Sequence, residues 1–176
     1  MSALGGGLLY PQPPLLEPVS HASSSESDTV RQEIEDAKRH SRAAASSLQS
    51  LAYTTLEEVV TTYSRPDWDG YGARPISRAV QARARAFLDA LPMWLPAPDI
   101  VPESDGEIAI EWDVEPNRIF SVSIGADGTL HYAGLLGDGV ERLGVEKFDE
   151  LVPAIIIQAI EELYRRYRAA SQRRAG

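Results

Sequence analysis

Ile108-Ala109-Ile110-Glu111-Trp112-Asp113, Glu115-Pro116-Asn117, Phe120-Ser121-Val122-Ser123-Ile124 and Ala126-Asp127-Gly128-Thr129-Leu130-His131-Tyr132 follow one another along the chain, and their reading decides the fold. Ile108, Ile110 and Trp112 alternate with Glu107, Ala109, Glu111 and Asp113, which gives a strand one apolar side and one acidic side. Phe120, Val122 and Ile124 repeat the alternation against Ser121 and Ser123. Leu130 and Tyr132 continue the apolar side, which leaves His131 facing solvent. Pro116-Asn117 and Asp127-Gly128 are turn chemistry between these runs. The pattern predicts an antiparallel meander of three to four strands. Ile100-Val101, bracketed by Pro98 and Pro102, would be a short edge strand.

Helical periodicity lies on both sides of the meander. Ser77 is a good N-cap for a helix whose stripe is Val80, Ala84, Phe87, Leu88 and Leu91, stopped by Pro92. Further upstream, Thr29 and Gln32 match a capping box. From there Val30, Ile34 and Ala37, then Leu48, Leu51, Leu56, Val59 and Tyr63, fit one long helix or two shorter ones. Downstream, the glycine-spaced stretch Gly134 to Gly144 reads as a loop, without the Gly-Lys-Ser/Thr ending of a phosphate-binding loop. A last helix is expected from near Asp149, with Pro153 in its first turn and Val152, Ile155, Ile156, Ile160, Leu163 and Tyr167 as its apolar face. The fold class is therefore α+β, in the order α-α-β-β-β-β-α. Residues 1–28, with three consecutive glycines, four prolines and Ser23-Ser24-Ser25, read as a disordered tail carrying two apolar clusters, Leu8-Leu9-Tyr10 and Leu15-Leu16. Residues 29–170 read as one domain, and 171–176 as a frayed end.

The densest local signal is Arg65-Pro66-Asp67-Trp68-Asp69-Gly70-Tyr71-Gly72-Ala73-Arg74-Pro75-Ile76-Ser77. Glycine permits positive φ and proline fixes φ, so this loop is shaped rather than slack. It fits either a structural plug, with Trp68 packed inward and Asp69 bonded to backbone N–H groups, or a recognition loop presenting Trp68 and Tyr71. Trp68 to Ile76, the helix ending in Phe87-Leu88 and Leu91-Pro92, and Gly106-Glu107-Ile108-Ala109-Ile110-Glu111-Trp112 together resemble a group of small uncharacterised bacterial proteins. The resemblance runs from Asp67 to Ile160. It implies one bacterial α+β domain, and it carries over neither an activity nor a site residue.

Composition narrows the function classes. With no cysteine, disulfides and thiolate metal sites are excluded, which suits the cytoplasm. No apolar run approaches the ~20 residues of a membrane helix, and the start lacks the pattern of a signal peptide. The formal charge is −9. From Pro98 to Glu150 there are 13 acidic residues against Arg118, Arg142 and Lys147, so 3 − 13 = −10. A nucleic acid would be repelled by such a surface. The arginines Arg165, Arg166, Arg168, Arg173 and Arg174 read as a solvated helix end complementing the macrodipole.

Catalysis finds little support. The carboxylates Asp69, Glu111 and Asp113, with Asp67 nearby in sequence, could hold magnesium for a hydrolase or nuclease. The lysine such nucleases place two residues after the strand carboxylate is missing, because position 113 is Asp. Of the three histidines, His21 falls in the tail, His40 on a polar helix face and His131 on the solvent side of its strand. No cofactor is expected. The sequence argues more for a non-catalytic protein-binding module, an inhibitor, antitoxin-like protein or accessory subunit that engages a basic protein partner. Its candidate binding residues are Trp68, Asp69, Tyr71, Glu107, Glu111 and Asp113.

Overall fold

A computed structural model describes residues 22–175; the apolar clusters Leu8-Leu9-Tyr10 and Leu15-Leu16 lie outside the described residues. The chain divides into two units, residues 1–39 and 40–176, and the division falls within the first helix, α1 (Ala22–Thr62). In the first unit, Val30 and Ile34 are exposed, and Lys38–Glu35 and Arg39–Asp36 form ion pairs along the helix. The helix starts ahead of Thr29, where the capping box had predicted it, so it includes the last residues of the expected tail. Its cause is legible: no proline or glycine stands between Val19 and Thr62 to stop helix propagation.

The second unit holds the core. Around it lie α2 (Arg78–Ala90), β1 (Asp99–Pro102), β2 (Ile108–Glu115), β3 (Arg118–Ile124), β4 (Thr129–Leu136), β5 (Glu141–Lys147) and α3 (Ala154–Ala175). The five strands form one antiparallel meander in the order β1-β2-β3-β4-β5. This is the expected α+β fold with helices before and after the sheet, and it has five strands rather than three to four. The helices cover one sheet face. There Ile108, Ile110, Trp112, Phe120, Val122, Ile124, Leu130 and Leu136 meet Phe87 and Leu88 of α2, Ile156, Ile160 and Leu163 of α3, and Leu56 and Val59 of α1. Trp112 is 1 % exposed, and its indole N–H donates to the Pro96 carbonyl at 2.8 Å, so burial leaves no donor unpaired. Leu51, placed on the α1 stripe by periodicity, faces solvent, and Ala52 is buried in its stead.

The extra strand corrects the loop expected over Gly134–Gly144. Gly134 and Gly144 sit inside strands, opposite Phe120 and Tyr132. A Cβ on Gly134 would stand 2.8 Å from the Ile119 carbonyl oxygen, and one on Gly144 would stand 2.6 Å from Tyr132 Cζ. Each glycine is thus the floor under an aromatic ring from the neighbouring strand. Only Gly137-Asp138-Gly139 forms the turn, with all three residues at positive φ. α3 begins after Pro153 rather than near Asp149, and the Pro153 carbonyl accepts from Ile156 N–H at 3.0 Å. Its far end, expected to fray, is held by Arg174, which donates to Glu115 at 3.0 and 3.3 Å. Among the described residues no helix is long and apolar enough to cross a membrane.

Candidate functional site

The loop between α1 and α2 is built from its own hydrogen bonds. Asp67, Gly70 and Gly72 take positive φ, which folds the chain back until Asp67 N–H donates to the Ala73 carbonyl at 2.7 Å. Asp69 Oδ1 accepts from the N–H groups of Tyr71 at 2.8 Å and Ala73 at 3.1 Å. Asp67 Oδ1 accepts from Gly72 N–H at 2.7 Å. Trp68 donates from its indole to the Arg74 carbonyl at 3.0 Å and packs edge-on against Tyr63, 4.7 Å between ring centres. Trp68 and Asp69 therefore hold the loop. Tyr71 does not: it stands 94 % exposed at the tip.

This loop is fastened to the β1–β2 turn. Arg74 N–H donates to the Ser104 carbonyl at 2.8 Å, and a side chain on Gly106 would meet Arg74 and Pro75 at 3.1 Å. The turn closes through Gly106 N–H on the Glu103 carbonyl and Glu103 N–H on the Glu107 carbonyl, both 3.0 Å. Tight closure brings three carboxylates together. Glu103, Asp105 and Glu107 each offer an oxygen within 4.8 Å of the others, and among the described residues no other group of His, Asp or Glu is close enough to share a cation. Asp69, Glu111 and Asp113 are thus not gathered into one such group. Sequence reading missed Glu103 and Asp105, although Glu103-Ser104-Asp105-Gly106-Glu107 spells an acidic turn in which a tight reversal forces the acids into proximity.

Electrostatics follow from that crowding. The Glu103 carboxyl is pushed up, first by burial, with the Ser123 hydroxyl acting the other way and Asp105, Glu107 and Glu111 adding to the rise. Its Oε2 is buried without a hydrogen-bond partner among the described residues. Glu107 is raised too, by burial and then by Asp105, while His131 opposes. Glu111 lies on the helix-free face of β2 and accepts from the Ser121 hydroxyl at 3.1 Å. Asp113, next along that face, is exposed. The loop that carries Tyr71 is joined to the acidic β1–β2 turn through the Arg74–Ser104 contact. Comparison with family models, with curated proteins and with solved structures returns no match.

Proposed function

We propose that the chain is a non-catalytic protein-binding module of the cytoplasm that presents Tyr71 and the acidic β1–β2 end of its sheet to a basic protein partner. In that role it acts as an inhibitor, an antitoxin-like protein or an accessory subunit. One observation carries the reading: an exposed tyrosine stands on a loop held by its own hydrogen bonds and bonded to a turn of three carboxylates. An aromatic on a preorganised support is the chemistry of a binding hot spot. Surrounding carboxylates would speed encounter with a basic surface and select against acidic ones, nucleic acids included.

Affinity capture with the parent, Tyr71→Ala and Glu111→Lys in parallel tests the reading. The parent should recover a basic protein in a salt-sensitive way, and both variants should lose it. Recovery by Tyr71→Ala equal to the parent would remove the tyrosine from the site. Magnesium or manganese binding that disappears in Glu103→Gln, together with phosphodiester hydrolysis, would overturn the non-catalytic reading in favour of a metal-dependent hydrolase.

A further inference from the structure

The two edges of the sheet are finished differently. β1 is four residues long, ends in Pro102 and follows Pro98, a common way of closing an edge to further strands. β5 contains no proline, pairs with β4 without a register shift, and has no strand on its other side among the described residues.

In an antiparallel ladder, alternate residues turn their N–H and C=O to the same neighbour. Leu136 N–H donates to the Val140 carbonyl and Phe148 N–H to the Gly128 carbonyl, both at 2.8 Å. In the shared register Arg142, Gly144 and Glu146 therefore spend their backbone groups on β4, and Glu141, Leu143, Val145 and Lys147 direct theirs outward. A second β5 running antiparallel can use those groups only where outward residues oppose outward residues. Centring the pair on Gly144 satisfies this along the whole strand. Glu141 then opposes Lys147, Arg142 opposes Glu146, and Leu143 opposes Val145. Every charge meets its opposite and every apolar side chain meets another. The neighbouring allowed registers fail: centring on Leu143 sets Glu141 against Val145, and centring on Val145 sets Leu143 against Lys147.

Two further observations point the same way. Neither the Glu141 nor the Glu146 carboxylate has an ion-pair partner among the described residues, while Arg142 reaches Glu162 in a part-buried pair and Lys147 reaches Asp127 in an exposed one. Leu143 and Val145 are 75 % and 59 % exposed on the helix-free face, with Leu143 beside a shallow depression of about 380 Å³ lined by Ile119, Ala133 and Leu135. Apolar surface of this kind marks a contact more often than bare surface. We infer that β5 pairs with β5 of a second copy, antiparallel and centred on Gly144, so that two five-stranded sheets become one continuous sheet. The pairing does not depend on the partner assigned to Tyr71, because the two lie on different elements.

Sedimentation equilibrium of the full chain, from micromolar to sub-millimolar concentration, tests the pairing. The parent should dimerise. Glu141→Lys alone and Lys147→Glu alone should each weaken the dimer several-fold, because like charges then oppose at both ends of the strand pair. Mixed in equal amounts, the two variants should associate again, since in the antiparallel register about Gly144 a lysine then opposes a glutamate at both ends. Both positions are exposed, so circular dichroism should show all proteins folded, with Lys147→Glu melting lower because Asp127 loses its lysine. A parent that stays monomeric, variants as dimeric as the parent, or a mixture that fails to associate would each overturn the inference.

Discussion

The two ends of the sheet use carboxylates for opposite ends. Where β2 turns into β3, and β4 into β5, acids meet arginines. Glu115 accepts from Arg118 at 2.6 Å and from Arg174 of α3, and Glu162 pairs with both Arg142 and Arg166. Asp138 stands 3.8 Å from Arg118 and from Arg166. At the other end, where β1 turns into β2, Glu103, Asp105 and Glu107 meet each other. Arginine hydrogen bonds hold the carboxyls of Glu115 and Glu162 below the usual range, whereas burial and like charge push Glu103 and Glu107 above it. A paired end that locks turns to α3 is a structural device. A crowded acidic end works against stability.

The largest effect expected from this contrast is at Arg118. Its guanidinium is buried between Glu115 and the Leu136 carbonyl, which it reaches at 3.1 Å. Arg118→Ala should cost roughly 3 kcal/mol in urea denaturation, because the Leu136 carbonyl loses a buried charged donor and the packed side-chain stem is lost, while Glu115 keeps Arg174. A loss below about 1 kcal/mol, the range of surface pairs, would erase the distinction between the ends. Next in size is Asp69→Ala in the loop that flanks the acidic end. Two N–H groups lose their acceptor there, and about 1–3 kcal/mol should disappear from the same measurement.

How far the sequence reaches differs between these ends as well. Period-two alternation over Ile108–Tyr132 and the Ser77 cap were enough for the sheet order and for α2, because local chemistry decides them. The end of β4 and the whole of β5 were hidden by glycines: Gly134 and Gly144 look like loop residues until Phe120 and Tyr132 are seen lying over them. No local signal carries that, since each ring arrives from another strand. Arg118 is hidden for the same reason, as Glu115, the Leu136 carbonyl and Asp138 reach it from the end of β2, the end of β4 and the β4–β5 turn. The loop divided as its chemistry suggested, with Trp68 and Asp69 turned to the backbone and Tyr71 outward. The acidic turn was only half seen, because Glu107 was picked out by strand alternation and Glu103 and Asp105 lie outside the alternating run.

A smaller effect, opposite in sign, should come from Glu103→Gln. A carboxyl whose folded pKa lies above its unfolded value costs stability while it is ionised in both states, and the cost is relieved as pH falls through the folded value. Near neutral pH the variant should therefore melt higher than the parent, by under about 1 kcal/mol once solvent screening is allowed for. Towards acidic pH the gain should shrink. Glu115→Gln should run the other way, since a depressed carboxyl contributes stability above its unfolded pKa and loses it as pH falls through the folded one. Matching pH profiles for the two variants would mean that the ends are electrostatically alike after all.

The smallest effect on folding is expected at Tyr71, and it is the most informative. Nothing in the loop depends on its ring: the hydrogen bonds run through Asp67, Asp69 and the Trp68 indole, and the Tyr71 contribution is its backbone N–H. Alanine keeps that N–H and the residue's place in the turn. Tyr71→Ala should thus stay within about 0.5 kcal/mol of the parent, as surface changes away from structural features do. Partner binding should respond differently, with a loss of about 2 kcal/mol or more if the ring is the anchor. Asp69→Ala supplies the control, because it damages the loop itself and should weaken binding and folding together. If Tyr71→Ala lowers the melting temperature as much as Asp69→Ala does, the ring packs somewhere other than solvent, and the acidic end loses its presented aromatic. If folding and binding are both untouched, the acidic end still differs from the paired end in its electrostatics, and the contact surface has to be sought along Glu111 and Asp113 instead.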